Sequence, residues 1–329
     1  MKFNWGTVTG VNPLRITLDG DTEPLPFAPD SLIDPLTLAV ADRVRTELSG
    51  HRLIVLGRVG GLGLLSGRNL IINGDFRINQ LEAVSGATVG GGDYFLDRWK
   101  AISTTSYISW TGDEAGRVLT IGLEEFSRGP QQILEARDME AVAHTLSWEG
   151  TAVGAIYNDG DSTPSYASSP IVFTPSGSAN VVVEFINDPA GDATLSKVKL
   201  ELGIVVTPFV PRSWGEEMAI CRRYLRVFSN PSGFFPRPFW AGTYYTSTQA
   251  YFPIIIEPPM RTAPTVSFST TAGFSVGANN SRKTASSISA DLALDQFVRI
   301  VATTDSQTVG VGALLRIGGG ERVILDAGL

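Results

Sequence analysis

Apolar and polar residues alternate in short runs along the N-terminal part of the chain. The run LRITLDG has the two-residue period of a strand, and the Pro-rich stretch that follows it suits neither a helix nor a central strand. DRVRTEL alternates in the same way, and Ser49-Gly50 then turns the chain into HRLIVLGRV. Residues 42–59 are therefore predicted to form a hairpin. Four or five short strands in so short a segment predict a small OB-like barrel over residues 1–59.

The string GGLGLLSGR (60–68) is predicted to be a linker, because its glycines lack the spacing of phosphate-binding loops. Beyond it, residues 69–212 carry six or more strand patterns separated by Gly, Asn, Asp and Ser clusters. This pattern predicts a sandwich, of the jelly-roll type. Its strands include 117–123, 144–156, 170–174, 180–186 and 198–206, and the segment 131–142 is predicted to hold one or two helical turns at most.

One amphipathic helix is predicted over residues 213–229, in a chain where helical patterns are otherwise scarce. Ser213 and Glu216 have the S-x-x-E spacing of a capping box, so the helix begins near Trp214. Apolar residues recur at steps of three and four, with Glu and Arg off that stripe. The stripe consists of Trp214, Met218, Cys221, Tyr224, Leu225 and Phe228.

Residues 230–329 return to strand patterns and predict a second sandwich. The segment opens with the most aromatic run of the chain, between Phe234 and Phe252. These aromatic residues either fill a core or a trimer interface, or leave a subset exposed as a sugar-stacking surface. The candidates for a ligand-binding subset are Trp240, Tyr244, Tyr245 and Tyr251. The predicted fold class is all-β, with an OB-like barrel, a central jelly roll, a short linking helix and a C-terminal sandwich.

Composition narrows the classes of function. The net charge is −7, which argues against binding to nucleic acid. The single cysteine and two histidines exclude an internal disulfide and a Cys/His metal cluster, so we expect neither a metal nor a cofactor. The N-terminus lacks a signal core and no apolar run approaches the ~18 residues of a membrane span. We expect synthesis in the cytoplasm and no insertion into a membrane.

The pattern of residues does not predict an enzyme. His51 and His144 lack a nucleophile motif and are predicted to lie at the surface or at a strand edge, and Cys221 falls on the apolar stripe as a packed thiol. Carboxylate pairs need only proximity in space for glycoside hydrolysis. The available pairs are Glu124-Glu125, Asp159/Asp161 and Asp93/Asp97. The string NDGDS is predicted to be a turn, with a weak calcium loop as the alternative.

Three strings of the sequence resemble a signature of tailed-bacteriophage virion proteins of the minor tail, collar or tail-fibre type. They are NLIINGDFRINQ, then YFLDRW, then VKLELGIVVTPFVPRSWGEEMAICRRYLRVF. The matching residues are Asn73, Gly74, Asp75, Phe76, Gln80, Asp97, Arg98, Trp99, Lys199, Glu201, Gly203, Thr207, Pro208, Phe209, Arg212, Glu216, Glu217, Cys221, Arg223 and Tyr224. The segment 131–150 is also similar to a strand of carbohydrate-binding jelly rolls, although Glu135 departs from the usual position of the acid.

The resemblance implies a homotrimeric fibre or spike on the virion. Residues 1–59 would attach to other tail, baseplate or collar proteins, and the C-terminal sandwich would be distal and face a host-surface receptor, in particular a glycan. Two roles are open for the helix. It would join a three-helix bundle through Trp214, Met218, Cys221 and Leu225, or it would dock on the jelly roll of its own chain.

Two other functions compete with host recognition. One is an architectural collar or decoration protein without a ligand. The other is a polysaccharide-degrading tail spike, which usually needs a long β-helix with regular repeats that this sequence lacks.

Overall fold

The computed structural model describes residues 2–31, 38, 43–49, 52–59, 69–102, 106–122, 128–161, 164–187, 191–278 and 281–328. The predicted linker 60–68 lies outside them. The chain forms two compact units, one made of Met1–Arg68 and Glu201–Gly203, the other of Asn69–Leu200 and Ile204–Leu329. The second unit thus contains both the jelly roll and the C-terminal sandwich.

The first unit contains a five-stranded OB-like sheet. Its strands are β1 (Lys2–Val11), β2 (Leu14–Leu18), β3 (Asp30–Ser31), β4 (Arg43–Ser49) and β5 (Arg52–Val59). They lie in the order β2-β1-β4-β5-β3, with β3 parallel to β5 and the other pairs antiparallel. The pairing of β4 with β5 confirms the predicted hairpin. Inward residues form a small core, which contains Val8, Leu14, Ile16, Leu38, Val44 and Val55.

Residues 69–212 form a jelly-roll sandwich of two sheets around one core. Its elements are β6 (Thr88–Val89), β7 (Tyr94–Leu96), β8 (Trp99–Ala101), β9 (Ser106–Asp113), β10 (Gly116–Ile121), β11 (Arg128–Leu134), a 3-10 turn (Ala136–Asp138), β12 (His144–Glu149), β13 (Val153–Asn158), β14 (Ile171–Phe173), β15 (Val181–Ile186) and β16 (Ala193–Leu202). One sheet has the order β14-β12-β16-β10-β9-β6 and the other β13-β15-β11-β8-β7. The inward residues of both sheets are apolar, and their burial stabilises the sandwich.

The core of the jelly roll is built on aromatic rings. The Phe185 ring lies 5.1 Å from Trp148, nearly perpendicular to it, and 6.2 Å from Trp99. The Phe76 ring lies 5.1 Å from Trp99 and is tilted against it. Tilted and edge-on contacts of this kind add about 0.5–1.5 kcal/mol per pair beyond the area that they bury.

The segment 131–142 holds one 3-10 turn, within the one or two helical turns predicted, and its first residues belong to β11, which pairs with β15. Glycines decide where two predicted strands differ from the structure. The predicted strand 144–156 is two strands, β12 and β13, separated by a turn in which Gly150 has a φ of 122°. Likewise, the predicted strand 198–206 ends early, and Gly203, with a φ of 101°, follows it.

The C-terminal sandwich packs a seven-stranded sheet against a three-stranded sheet. Its strands are β17 (Leu225–Ser229), β18 (Arg237–Tyr244), β19 (Gln249–Ile255), β20 (Thr265–Phe268), β21 (Phe274–Ala278), β22 (Ser281–Thr284), β23 (Ser287–Leu294), β24 (Phe297–Thr303), β25 (Gly312–Ile317) and β26 (Arg322–Asp326). The large sheet has the order β22-β21-β25-β18-β19-β24-β23, and the small one β17-β26-β20. Apolar side chains of both sheets form one core.

The linking helix is shorter than predicted. Helix α1 spans Trp214–Cys221, and the Ser213 hydroxyl accepts the Glu216 N–H at 3.3 Å, which confirms where the helix begins. The prediction of a helix over 213–229 is wrong at its C-terminal end. The chain turns after Cys221 and continues as β17, which pairs antiparallel with β26 along its whole length. The hydrogen bonds between these two strands occupy the backbone N–H and C=O groups that a longer helix would need.

Gly74 makes a close approach that only glycine permits, so Gly74→Ala should destabilise the protein. An added methyl group would lie 2.2 Å from the carbonyl oxygen of Val198 in β16. Overpacking of this kind costs about 1–3 kcal/mol, which differential scanning calorimetry would record as a fall in Tm. The matched control is Gly191→Ala, because nothing lies within 4 Å of a methyl group there. Equal Tm values for the two variants would contradict the expectation.

Candidate functional site

The signature strings meet in a buried polar cluster around the opening loop of the jelly roll. Asn73 has a φ of 57° and closes the loop with its side chain. Its amide donates to the carbonyl oxygens of Ile78 and Asp97 at 2.9 and 3.0 Å, and its Oδ1 accepts the Ile78 N–H. The Trp99 indole donates to the Asn73 carbonyl at 2.8 Å. These residues bond to one another, and their role is structural.

The centre of this cluster is an ion pair between Arg212 and Glu217. Both carboxylate oxygens lie 3.0 Å from Nη1 of Arg212, and the two side chains are only 15% and 4% exposed. Glu217 also accepts the Asn73 N–H at 2.5 Å. Arg212 donates in addition to the carbonyl oxygens of Asn69 and Ile71. The start of α1 is thereby bonded to the opening loop.

Gln80 connects the cluster to the C-terminal sandwich. Its N–H donates to a carboxylate oxygen of Asp97 at 2.6 Å, and its side-chain amide donates to the other oxygen and to the Leu225 carbonyl. Burial raises the pKa of Asp97, and the bonds from Gln80 oppose this rise. A second link runs from Nη1 of Arg322 to the Leu81 carbonyl at 2.6 Å. We call Asn73, Gln80, Asp97, Arg212 and Glu217 the polar joint.

The apolar stripe of α1 faces its own chain, as the second role considered for the helix requires. The buried cluster consists of Ile72, Ile78, Cys221 and Tyr224, with Met218 packed against it. Of the residues predicted for a trimeric helix interface, Cys221 is fully buried and Leu225 belongs to β17, so neither can meet another chain from the helix. Trp214 is 46% exposed. The packed thiol is confirmed, and burial raises the pKa of Cys221.

Other polar candidates also serve the fold. His144 is the first residue of β12, in agreement with the predicted strand edge, and it is fully buried rather than at the surface. Its Nδ1 lies 2.7 Å from the Val142 carbonyl oxygen, and burial lowers its pKa. Glu135 accepts the Tyr224 hydroxyl at 2.8 Å. The turn of NDGDS is confirmed by the bond from the Asp161 N–H to the Asn158 carbonyl.

His51 and Glu124-Glu125 lie outside the described residues. Within the described part, no group of three or more His, Cys, Asp or Glu side chains is placed to hold a metal ion. No helix in that part has the length and apolar character to cross a membrane.

Glu184 of the jelly roll belongs to a polar cluster whose oxygens already have partners. Its side chain is 2% exposed. One oxygen accepts the Tyr157 hydroxyl at 3.0 Å and the Gln131 amide at 3.2 Å, and the other accepts the Tyr166 hydroxyl. A ligand would have to displace these bonds, so we place no site here.

Two of the four predicted ligand residues belong to the core of the C-terminal sandwich. Tyr244 is 1% exposed, and its hydroxyl lies 2.8 Å from the hydroxyl of Thr304. Trp240 packs against the core, with its ring 5.1 Å from Phe228 and nearly perpendicular to it. Both side chains follow the inward alternation of β18. Tyr244 is thus a core residue, as the core alternative expects, and Trp240 packs against the same core.

The other two residues stack at the surface. The ring centroids of Tyr245 and Tyr251 are 5.0 Å apart with planes 11° from parallel, and Tyr245 is 67% exposed. The Arg299 guanidinium lies 4.7 Å from the centroid of Tyr251. Its Nε and Nη2 donate to the two oxygens of Asp291 at 2.8 and 2.7 Å, and these bonds lower the pKa of Asp291. We call these four residues the tyrosine platform.

Strand register positions the platform on the outer face of the seven-stranded sheet. Tyr251 of β19 lies opposite Val301 of β24, and Pro253 lies opposite Arg299, so Tyr251 and Arg299 share a face. An irregularity in β23 between Ala290 and Leu292 contains Asp291 and lets it reach Arg299.

Sequence reasoning missed Arg299 and Asp291. The alternation in FVRIVAT is a signal that Arg299 points away from the core, because Val298 and Ile300 on either side of it are buried. Its partners Tyr251 and Asp291 lie on β19 and β23, and the sequence alone does not show that these strands pair with β24.

Comparisons with known proteins assign no family. No family model and no curated protein match the chain. Among solved structures, wild-type discoidin II from Dictyostelium discoideum is 10% identical, with 79% of this chain and 92% of that chain covered and a TM-score of 0.17. A native structure of recombinant discoidin II is 9% identical, with 75% and 90% covered and the same TM-score. Likeness at this level supports no assignment.

Glu217→Ala should destabilise the second unit by about 3–5 kcal/mol, because it leaves the Arg212 charge buried without its partner. Thermal or urea unfolding would record the loss. The double variant Arg212→Met with Glu217→Met should lose less than either single variant. The control is Glu149→Ala, which breaks an exposed pair with Lys197 at 2.9 Å and should cost at most about 1 kcal/mol. Equal losses for Glu149→Ala and Glu217→Ala would contradict this account.

Proposed function

We propose that this chain is a tailed-bacteriophage virion protein that forms a homotrimeric tail fibre or spike and binds a glycan of the host surface. The binding surface is the tyrosine platform on the C-terminal sandwich. The single observation that carries the proposal is the exposed stack of Tyr245 on Tyr251, continued by Arg299 and fixed by Asp291.

The chemistry of the platform suits a sugar. The apolar C–H face of a pyranose ring packs on a flat aromatic ring, and an exposed tyrosine offers such a ring together with a polar hydroxyl. Nε and Nη2 of Arg299 donate to Asp291. The donors on Nη1 point away from this ion pair and are suited to sugar hydroxyls. The ion pair also fixes the guanidinium, so less conformational entropy is lost on binding.

The virion role rests on the resemblance of the signature strings and on the modular β architecture. In this proposal residues 1–59 attach the protein to tail, baseplate or collar proteins, and the C-terminal sandwich faces the host. The polar joint and the bond from Arg322 to Leu81 suit a fibre, because they fix the C-terminal sandwich to the jelly roll. The same joint would serve an architectural collar or decoration protein without a ligand, and the binding experiment distinguishes the two.

Tyr245→Ala and Tyr251→Ala should each weaken binding to host envelope polysaccharide by about 1 kcal/mol, or roughly fivefold. Each substitution removes one stacking face. The measurement is adsorption of the purified protein to host cells, followed by a glycan array. The control is Phe235→Ala, which removes an aromatic ring that is 90% exposed in the same sandwich. If the double tyrosine variant adsorbs like the control, the platform is not the receptor surface.

The purified protein should be a trimer in dilute solution and a component of phage particles. Light scattering coupled to size-exclusion chromatography gives the copy number, and mass spectrometry of purified particles gives the location. A monodisperse monomer, or absence from the particles, would refute the fibre.

A further inference from the structure

A cationic cavity lies on the same face of the seven-stranded sheet as the tyrosine platform. Directly paired residues share a face, and the pairs run from Tyr251 through Thr243 of β18 to Gly312 of β25. Within β25, Gly312, Leu314 and Arg316 alternate onto that face. Three strand spacings, about 14 Å, separate β19 from β21, where the cavity lies.

The cavity has a volume of about 500 Å³ and is open to solvent. Its lining consists of Gly277, Ala278, Ser281, Arg282, Gly312, Leu314 and Arg316. No acidic side chain belongs to this lining. Within the described residues, neither Arg282 nor Arg316 forms an ion pair, although the protein as a whole has a net charge of −7. Two positive charges are therefore concentrated in a lining that contains no carboxylate.

Two buried polar atoms beside the cavity lack hydrogen-bond partners within the described residues. They are Nε of Arg316 and Oγ of Ser275. Ser275 is 6% exposed and lies opposite Arg316 in the ladder of β21 and β25. Buried donors without partners cost about 1–3 kcal/mol each, so their presence calls for an explanation.

Gly277 allows the Arg316 side chain to lie close against β21. A methyl group at this position would lie 3.2 Å from Nε of Arg316. Gly277 is also the register partner of both Leu314 and Arg282, so the floor of the cavity between these two side chains carries no side chain of its own. An oxyanion bound there would accept hydrogen bonds from a guanidinium in the geometry that arginine offers to carboxylate and phosphate groups.

We propose that this cavity binds an oxyanion group, a carboxylate, sulfate or phosphate, carried by the same saccharide that stacks on the tyrosine platform. This inference rests on the proposed function and narrows its substrate class to acidic glycans. One ring of the saccharide packs on Tyr245 and Tyr251, and a charged group further along the chain reaches Arg316 and Arg282. Charge at one end and stacking at the other fix both the position and the direction of the ligand.

The experiment compares matched probes on the full chain. A glucuronate-containing oligosaccharide, the same oligosaccharide with its carboxyl groups reduced to alcohols, and inorganic phosphate are titrated by calorimetry at low and high salt. The acidic probe should bind more tightly than the neutral one, and salt should weaken only the acidic probe.

Arg316→Met with Arg282→Met should weaken the acidic probe about tenfold to a hundredfold, which is the range for lost charge-assisted hydrogen bonds. The neutral probe should be unaffected. Arg316→Lys should recover part of the affinity, because it restores charge without the planar fork. The control is Arg237→Met, an exposed arginine of the same sandwich whose guanidinium lies 4.6 Å from the Phe234 ring. Unchanged Tm values show that the variants are folded.

The other outcomes separate this inference from the proposed function. Full binding of the acidic probe by the double arginine variant, with loss in the tyrosine variants, overturns the cavity and leaves the glycan platform standing. Binding of phosphate but of neither saccharide overturns the saccharide assignment and the proposed function together. Binding of none of the three probes also overturns this inference.

Discussion

The second unit depends on compensation of one buried negative charge. Glu217 lies on the first turns of α1, and a carboxylate removed from water is tolerated only when cations and donors surround it. Arg212 and the Asn73 N–H supply these partners, and each lies on a different segment of the chain. The requirement fixes the opening loop of the jelly roll, the segment before the helix and the helix itself in one arrangement. Gln80 then extends that arrangement to β17 and to the C-terminal sandwich.

The most recognisable strings of the sequence therefore encode a connection between modules. NGDF, DRW and the GEEMAIC helix contribute buried polar groups that bond to one another. The surface proposed for ligand binding lies elsewhere, on strands whose sequences carry no familiar pattern. This division has a physical basis: a buried polar network tolerates few substitutions because each group must keep its partner, whereas an exposed sheet face tolerates many.

The sequence predicts local features well. The hairpin of the N-terminal unit and the cap at Ser213 follow from alternation and from capping chemistry, and both are confirmed. The end of the helix was not predictable, because LRVF suits a helical stripe and a strand equally, and its partner β26 lies about a hundred residues later in the chain. At the candidate site, composition does not separate adjacent Tyr244 and Tyr245, since one residue of register decides which points inward. Arg299 and Asp291 meet only through an irregularity in β23.

Two bonds between the jelly roll and the C-terminal sandwich, donated by Gln80 and by Arg322, end on the main-chain oxygens of Leu225 and Leu81. A main-chain acceptor is present whatever side chain its residue carries, so these bonds do not dictate the identity of the residues that they meet. The bond from Gln80 would therefore survive an exchange of the C-terminal sandwich, whereas the second bond also needs the side chain of Arg322 within that sandwich.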